Sequence, residues 1–456
     1  MIRVFNLFVP AGAFILLITD LVLFEGLLLA ALALGYGTLA PATEPQAADL
    51  LLPTVVFLTV LCATGLYERR FLGDVRQMAV RAFTGAVLTL AALLALALIR
   101  PQAWESAPEV AAAVLGSALG AMLLRHAYMR LSRLEALRGR VVVVGGAEGV
   151  GQIAGIAATR ATPRFCLTGF VPLDGTTAAG VPTVPETTLL EFCRTARVTE
   201  VVVAPDPAGP EPRQNLLVGL REAGIRVLDR ATFLEREAKQ IDVAMPCPHW
   251  ALYSSGSAGE GVAAAAKRVL DLVAASLLLL LTLPLMLITA AAIRLEDGGP
   301  VFYRQERVGR HGRSFMLIKF RSMRVDAEKD GVARWAVSRD PRITLIGSLI
   351  RPIRVDEIPQ VLNVLRGEMS FVGPRPERPA IVAELEQRMP AYAWRHIVKP
   401  GITGWAQVNY PYGASFEDSR EKLKYDLYYV KNRSLMMDLL IILQTVRVVL
   451  FSEGGR

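Results

Sequence analysis

Cysteine is scarce in this chain, and several enzyme hallmarks are missing. The four cysteines (Cys62, Cys166, Cys193, Cys247) are scattered over 456 residues with no CxxC pair. That pattern excludes a disulfide framework and a cysteine zinc site, and fits a reducing compartment. None of the eleven tyrosines is followed four residues later by lysine. The Tyr-x-x-x-Lys pair of short-chain nucleotide-sugar oxidoreductases and dehydratases is therefore absent. The first apolar run lacks a small-residue cleavage site and reads as an anchor, not a removable signal peptide. Loop 36–49 holds no Lys or Arg, and 100–106 holds only Arg100.

What is present is apolar and basic: 53% hydrophobic residues and a net charge of +8. The apolar fraction is high for a soluble protein, and the length suggests two or three domains. Positive charge in such a chain points to anionic lipid and acidic substrates rather than nucleic acid. Four runs approach the ~20 apolar residues a bilayer crossing needs: roughly 9–35, 50–67, 81–99 and 107–127. Residues 68–81 carry four arginines and 125–140 carry five. The positive-inside rule then puts both ends of a four-helix transmembrane region, 1–130, in the cytoplasm. Asp20 and Glu25 fall inside the first span and read as polar contacts within the bundle.

A fifth apolar stretch, Val269 to Ile293, has positive charge on both flanks. Lys267 and Arg268 precede it, and 294–324 contain eight Lys or Arg. Pro284 sits mid-segment, where proline removes a helix hydrogen bond. A broken helix that enters and returns on one side satisfies both flanks, with Thr282 placed to satisfy the freed backbone. The apolar C-terminal run 435–451 is interrupted by Asp438, Gln444 and Arg447, and reads as an interfacial helix.

Between these lies 139–245, which alternates strand and helix patterns. GRVVVVGGAEGVGQIAGIA (139–157) reads as buried strand, glycine turn and helix, close to a dinucleotide fingerprint at Gly145, Gly146, Gly149 and Gly151. Asp174 is the candidate ribose-binding acid. Strand–helix packing needs glycine there even without a ligand, so both a nucleotide-binding and a structural Rossmann-like domain remain open. The Gly-, Ser- and Ala-rich segment 246–266 reads as a linker.

The densest chemistry lies in RVDEIPQVLNVLRGEMSFVGPRP (354–376). Asp356 and Glu357 open a run whose apolar residues Ile358, Val361, Leu362 and Leu365 share one helix face. Acidic residues suit any helix start. The same pair also suits a carboxylate nucleophile, Asp356, beside a Mg²⁺ ligand, Glu357. Basic residues nearby, including Lys319 and Arg321 in an apolar strand-like run, suit bidentate and point-charge phosphate contacts.

KRVLD (267–271), GGPVFYRQERVG (298–309), FMLIKFRSM (315–323), RVDEIPQVLNVLRGEMSFVGPRPERP (354–379), KPGITGWAQVNY (399–410) and KLKYDLYYVKNRSLMMDL (422–439) occur in order. This set resembles the bacterial sugar transferase family, monotopic polyprenyl-phosphate phosphoglycosyltransferases. The N-terminal half resembles the exosortase-associated exopolysaccharide enzymes among its large members. The resemblance implies three parts. A four-span α-helical bundle is followed by an α/β Rossmann-like domain, then an α+β catalytic domain over 267–456 with a re-entrant helix 269–293 broken at Pro284. The family commonly has Ser-Pro at that break, where this chain has Leu283-Pro284.

The resemblance also implies the chemistry. The aspartate at Asp356 attacks the β-phosphate of a UDP-sugar, UMP leaves, and undecaprenyl phosphate then takes the phosphosugar. Glu357 corresponds to the Mg²⁺ ligand. Lys319, Arg321, Arg351 and the turn Pro374, Arg375, Pro376 correspond to substrate-binding positions. The implied location is the bacterial inner membrane with the catalytic domain on its cytoplasmic face, and the implied pathway is exopolysaccharide or O-antigen assembly. Partners so implied are UDP-sugar, undecaprenyl phosphate and membrane lipid, with a homodimer as a further candidate. The competing classes are a membrane-anchored nucleotide-sugar oxidoreductase or dehydratase and a non-catalytic assembly scaffold.

Overall fold

The computed structural model describes all residues except 1, 5–6, 10, 37–46, 69–73, 100–106, 133–137, 160–164, 176, 178–179, 207–208, 244–259, 325–341, 412, 414 and 452–456. The loops 36–49 and 100–106 of the topology argument lie almost wholly outside the described residues. The chain forms two compact units, essentially Phe8–Lys239 and Gln240–Arg456.

The first unit begins with four apolar helices: α1 (Ala11–Tyr36), α2 (Ala47–Ala63), α3 (Val75–Ile99) and α4 (Ala107–Ser132). Three are long and apolar enough to cross a membrane; α2 is shorter, apolar over Leu50–Ala63. Small residues on α3 and α4 (Ala82, Ala86, Ala113, Ala118) let Phe24, Phe57 and Leu61 close the bundle core. The phenyl rings of Phe24 and Phe57 stack at 4.6 Å. Asp20 and Arg125 form an ion pair of 2.7 Å whose side chains are both 0% exposed. The Tyr67 hydroxyl donates to Asp20 at 2.7 Å, and Arg125 Nε donates to the Leu66 carbonyl at 3.0 Å. Glu25 accepts from Thr54 at 2.7 Å. Both acidic residues of the first span are thus held as polar contacts inside the bundle.

The same unit continues as an α/β region. Strands β1 (Gly139–Gly145), β2 (Phe165–Pro172), β3 (Glu200–Ala204) and β4 (Arg226–Asp229) form a parallel sheet in the order β2-β1-β3-β4. A further parallel bridge, Phe170 to Thr183, lies outside β2. The unbroken valine run 141–144 is buried on both faces. Val142 and Val144 pack toward Leu189 and Leu220; Val141 and Val143 pack toward Val150 and Ile153. A parallel sheet covered by helices on both faces demands such a run. The glycine turn is explained by close approach. A Cβ on Gly145 would fall 1.9 Å from the Ala204 carbonyl oxygen, and one on Gly146 2.1 Å from the Asp206 carboxylate.

The second unit is organised along one 38-residue helix, α5 (Glu260–Asp297), with Pro284 inside it. Its first turns occupy the end of the segment read above as a linker. The alanine run 263–266 accounts for this, since alanine is the best helix former. One stripe of α5 packs on its own domain. Ala275 meets Leu317, Val361 and Val364, while Met286 and Ile293 meet Phe320 and Val355. The opposite face is bare leucine and isoleucine, with Leu280, Leu281 and Ile288 about two-thirds exposed. Thr282 does not satisfy the backbone freed by Pro284. Proline removes the partner of Leu280's carbonyl, four residues back, whereas the Thr282 hydroxyl donates to Leu278's carbonyl at 2.7 Å.

The helix α8 (Leu435–Leu450) has inverted polarity. Asp438, Gln444 and Arg447 face inward, while Met436, Leu439 and Val449 are exposed.

Removing one partner of a fully buried ion pair costs about 3–5 kcal/mol. Arg125→Leu is therefore expected to lower the thermal unfolding midpoint of the detergent-solubilised protein, with part of the loss restored in Arg125→Leu/Asp20→Leu. A midpoint equal to wild type would show that the pair contributes nothing.

Candidate active site

The acidic pair sits in a 3₁₀ segment, Val355–Gln360, followed by α6 (Val361–Arg366). The sequence pattern suggested one continuous helix with an acidic first turn. Pro359 sits within the 3₁₀ segment and lacks the N–H a helix would use there. Arg354, directly before the segment, is left-handed at φ 56° and ψ 22°. An arginine rarely takes that conformation, and such strain gathers at functional sites.

Two neighbours bring cations to this turn. The first is the antiparallel hairpin of β5 (Phe302–Val308) and β6 (Ser314–Phe320). Lys319 projects from β6, and its Nζ lies 3.0 Å from Glu357 Oε1. Asn363, fully buried on α6, locks strand to helix. Its Oδ1 accepts from the Ile318 amide at 3.0 Å, and its Nδ2 donates to the Met316 carbonyl at 2.8 Å.

The second neighbour is the Pro374-Arg375-Pro376 turn, which follows β7 (Ser370–Val372). Strand β7 pairs in parallel with β8 (Gly401–Thr403). Gly373 and Gly401 permit this: a Cβ on Gly401 would fall 2.1 Å from the Gly373 nitrogen. The Gly401 amide donates to the Pro374 carbonyl at 2.9 Å. The KRVLD residues of α5 hold β7 from the other side. Ser370 Oγ donates to Asp271 at 2.9 Å, and Lys267 lies 3.0 Å from both Asp271 and Asp438. Arg268 donates to the Val364 and Leu365 carbonyls, capping α6.

The result is an asymmetric carboxylate pair. Arg375 clasps Glu357 with NH2–Oε1 at 2.6 Å and NH1–Oε2 at 3.3 Å, and Arg354 NH1 adds a third cation at 3.6 Å. Burial alone would raise the Glu357 carboxyl, but Arg375, Lys319 and Arg354 outweigh it and hold the group well below the usual carboxylate range. Asp356 is 8% exposed. Burial, and then the Glu357 charge, push it up to about 6 against the pull of Lys319, Arg351 and Arg375. Burial lowers the Lys319 amine, opposed by Glu357. Arg351 is near enough to act on the Asp356 charge, and its buried NH1 has no hydrogen-bond partner among the described residues.

The structure therefore gathers Asp356, Glu357, Lys319, Arg351 and Arg375, with Pro374 and Pro376 shaping the turn that carries Arg375. It places Arg321 differently. That guanidinium is buried against the end of α5, bonded to Asp297 and to the Ile293 carbonyl. Sequence reasoning passed over Arg354, Asn363, Arg395 and Asp426. The last two are charges set in apolar runs, AYAWRHI and KYDLYYV. Opposite charges at core-facing positions were the available signal.

The sequence model of the bacterial sugar transferase family matches residues 262–452. The chain is 45% identical over 192 residues to the uncharacterized sugar transferase EpsL of Bacillus subtilis, a match covering 41% of this chain and 89% of that protein. The chain belongs to the bacterial sugar transferase family.

Another bacterial sugar transferase relative is the UDP-N-acetylgalactosamine-undecaprenyl-phosphate N-acetylgalactosaminephosphotransferase of Aeromonas hydrophila. It is 47% identical over 190 residues, 42% of this chain and 45% of that protein. The UDP-glucose:undecaprenyl-phosphate glucose-1-phosphate transferase of Escherichia coli is 43% identical over 188 residues, 41% and 40% respectively. The chain matches less than half the length of these last two. All the site residues above fall inside the family match.

Proposed function

We propose that this chain transfers a sugar-1-phosphate from a UDP-sugar to undecaprenyl phosphate, releasing UMP, as an early membrane step of exopolysaccharide or O-antigen assembly. The observation that carries the reading is the unequal pair: a buried Asp356 beside a Glu357 held ionised by three cations. Glycine turns and charge runs occur in many proteins, but two adjacent carboxylates pushed apart in this way mark divided roles. The relatives' names specify different sugars, N-acetylgalactosamine and glucose, and nothing in this site singles out one.

In the first step an Asp356 carboxylate oxygen attacks the β-phosphorus. An Asp356–phosphorus bond forms, the bond from that phosphorus to the bridging oxygen breaks, and UMP leaves with the electron pair. In the second step a phosphate oxygen of undecaprenyl phosphate attacks the same phosphorus. The Asp356 bond breaks, the carboxylate is regenerated and undecaprenyl-diphosphate-sugar forms. Lys319, Arg351 and Arg375 hold the diphosphate oxygens and offset charge building on them.

Glu357 would hold Mg²⁺ by giving up part of the contact its two oxygens make with Arg375 and Lys319. Among the described residues no group of three or more His, Cys, Asp or Glu is placed to hold a metal. A hard cation held by Glu357 and substrate phosphates needs no such group. When bound, it would neutralise charge on the leaving phosphate.

Membrane placement follows from α5. At 1.5 Å per residue it is about 57 Å long, far beyond the ~30 Å hydrocarbon core. Yet both ends bond to the same domain: Lys267 reaches the Val372 carbonyl, and Glu296 accepts from the Leu345 amide at 2.7 Å. Two ends tied to one domain support a helix whose ends both stay on the cytoplasmic face, although Pro284 does not interrupt it, with its bare leucine face and that of α8 against lipid. The order of the 139–229 sheet, with the Thr183 bridge outside β2, supports a Rossmann-like domain. Asp206 occupies the space over Gly146 where a pyrophosphate would lie, which favours a structural module.

Asp356→Asn is expected to abolish UMP release from UDP-sugars, screened as a panel. In the wild type, the nucleophile must be ionised, so release should fall as pH drops through about 6, not near the ordinary aspartate value of about 4. Turnover in Asp356→Asn, or an acid limb near pH 4, would remove Asp356 from this role.

A second expectation concerns topology. In a variant freed of its own cysteines, Glu384→Cys in intact cells should resist an impermeant thiol reagent until the cells are opened. Labelling from outside would mean that α5 crosses.

A further inference from the structure

We infer that Arg395 and Asp426 act as positioning residues for the reaction, by holding the backbone that aims Arg375 at the carboxylate pair. The inference rests on the transfer reaction proposed above. Arg395 lies in the 3₁₀ segment Pro390–Ile397, and Asp426 in α7 (Phe416–Asn432). Both are buried, 5% and 2% exposed.

The guanidinium spends each of its arms. Nε and NH2 reach Asp426 Oδ2 at 3.1 and 2.8 Å. NH1 donates to the Tyr392 hydroxyl at 2.5 Å, and NH2 also donates to the Arg375 carbonyl at 2.8 Å. The last bond is the informative one. The turn 373–378 lies outside regular structure, so its backbone is fixed by single bonds. The Pro374 carbonyl is held by the Gly401 amide and the Arg375 carbonyl by Arg395. Proline on either side of Arg375 fixes φ at both neighbours. Backbone bonds at Gly373 and Glu377 tie the turn on either side, and the Arg395 bond pins the carbonyl of the residue whose side chain ends on Glu357.

A buried arginine–carboxylate pair is expensive to desolvate and is weak evidence for stability alone. A pair that also pins an active-site carbonyl has a reason to be there. Lysine cannot reproduce the arrangement, because its single ammonium lacks the planar fork that serves Asp426 and the carbonyl together.

The test is Arg395→Lys in the full chain, with Tyr392→Phe as a milder variant that loosens the same guanidinium. Three readouts are compared with wild type: kcat for UMP release, KM for the UDP-sugar, and amide hydrogen exchange. Misplacement of a positioned group by about 1 Å costs on the order of 10²-fold, so kcat should fall by about that factor in Arg395→Lys and less in Tyr392→Phe. The loss should fall on kcat more than on KM for the UDP-sugar, since Arg375 offsets charge that builds on the phosphates during transfer. Exchange should quicken over 373–378 and at Gly401 while α6 and β6 keep wild-type protection. The exchange experiment stands even if the wild type releases no UMP, a result that would sink the proposed reaction alone. Exchange in the turn at the wild-type rate, or quickened equally everywhere, would overturn the positioning role. So would a kcat per folded enzyme unchanged from wild type.

Discussion

Two adjacent carboxylates in a buried turn repel each other, and desolvation favours protonating both. The turn holds a charged Glu357 beside a raised Asp356 because cations compensate one member selectively. Arg375, Lys319 and Arg354 converge on Glu357 and not on its neighbour. Glu357 stays charged, and its charge in turn raises Asp356. The hairpin brings Lys319, the Pro-Arg-Pro turn brings Arg375, and Arg354 arrives from directly before the 3₁₀ segment.

The scaffold explains how three separated segments meet. Helix α5 is the common wall. Its KRVLD residues grip α6 and β7 at one end, and Asp297 and Glu296 grip Arg321 and the 345 amide at the other. The same helix turns an apolar face outward. In the proposed reaction, which hands a phosphoryl group to a lipid acceptor, the wall of the site and this apolar face would serve together on one element. Helix α8, mixed inside and apolar outside, extends that arrangement.

Much of this was legible in the sequence because the chemistry is concentrated. Asp356, Glu357, Lys319 and Arg375 lie in motifs with distinctive spacing, Arg351 stands three residues before one of them, and all five converge. The helices of the first unit and the parallel strands follow from apolar runs and valine repeats. What stayed hidden depends on the third dimension. Arg321 shares a strand-like run with Lys319, but the hairpin leads it to Asp297 instead of the carboxylates. Thr282 stands two residues from Pro284, yet its hydroxyl reaches the carbonyl one turn back, not the one proline frees. The end of the apparent linker is helix because alanine propensity outweighs the Gly and Ser before it. Arg395, Asp426 and Asn363 are single polar residues in apolar surroundings, and only the packed structure shows which partner each meets.

The central claim is that Asp356 becomes covalently bonded to phosphorus. Intact-protein mass spectrometry tests it directly, with purified wild type and its UDP-sugar in the absence of undecaprenyl phosphate. The account predicts a mass gain of one phosphosugar, located on Asp356, missing in Asp356→Asn and discharged when undecaprenyl phosphate is added. Rapid transfer with both substrates present, but no adduct and no UMP release with the UDP-sugar alone, would contradict it and point to direct transfer between the two substrates.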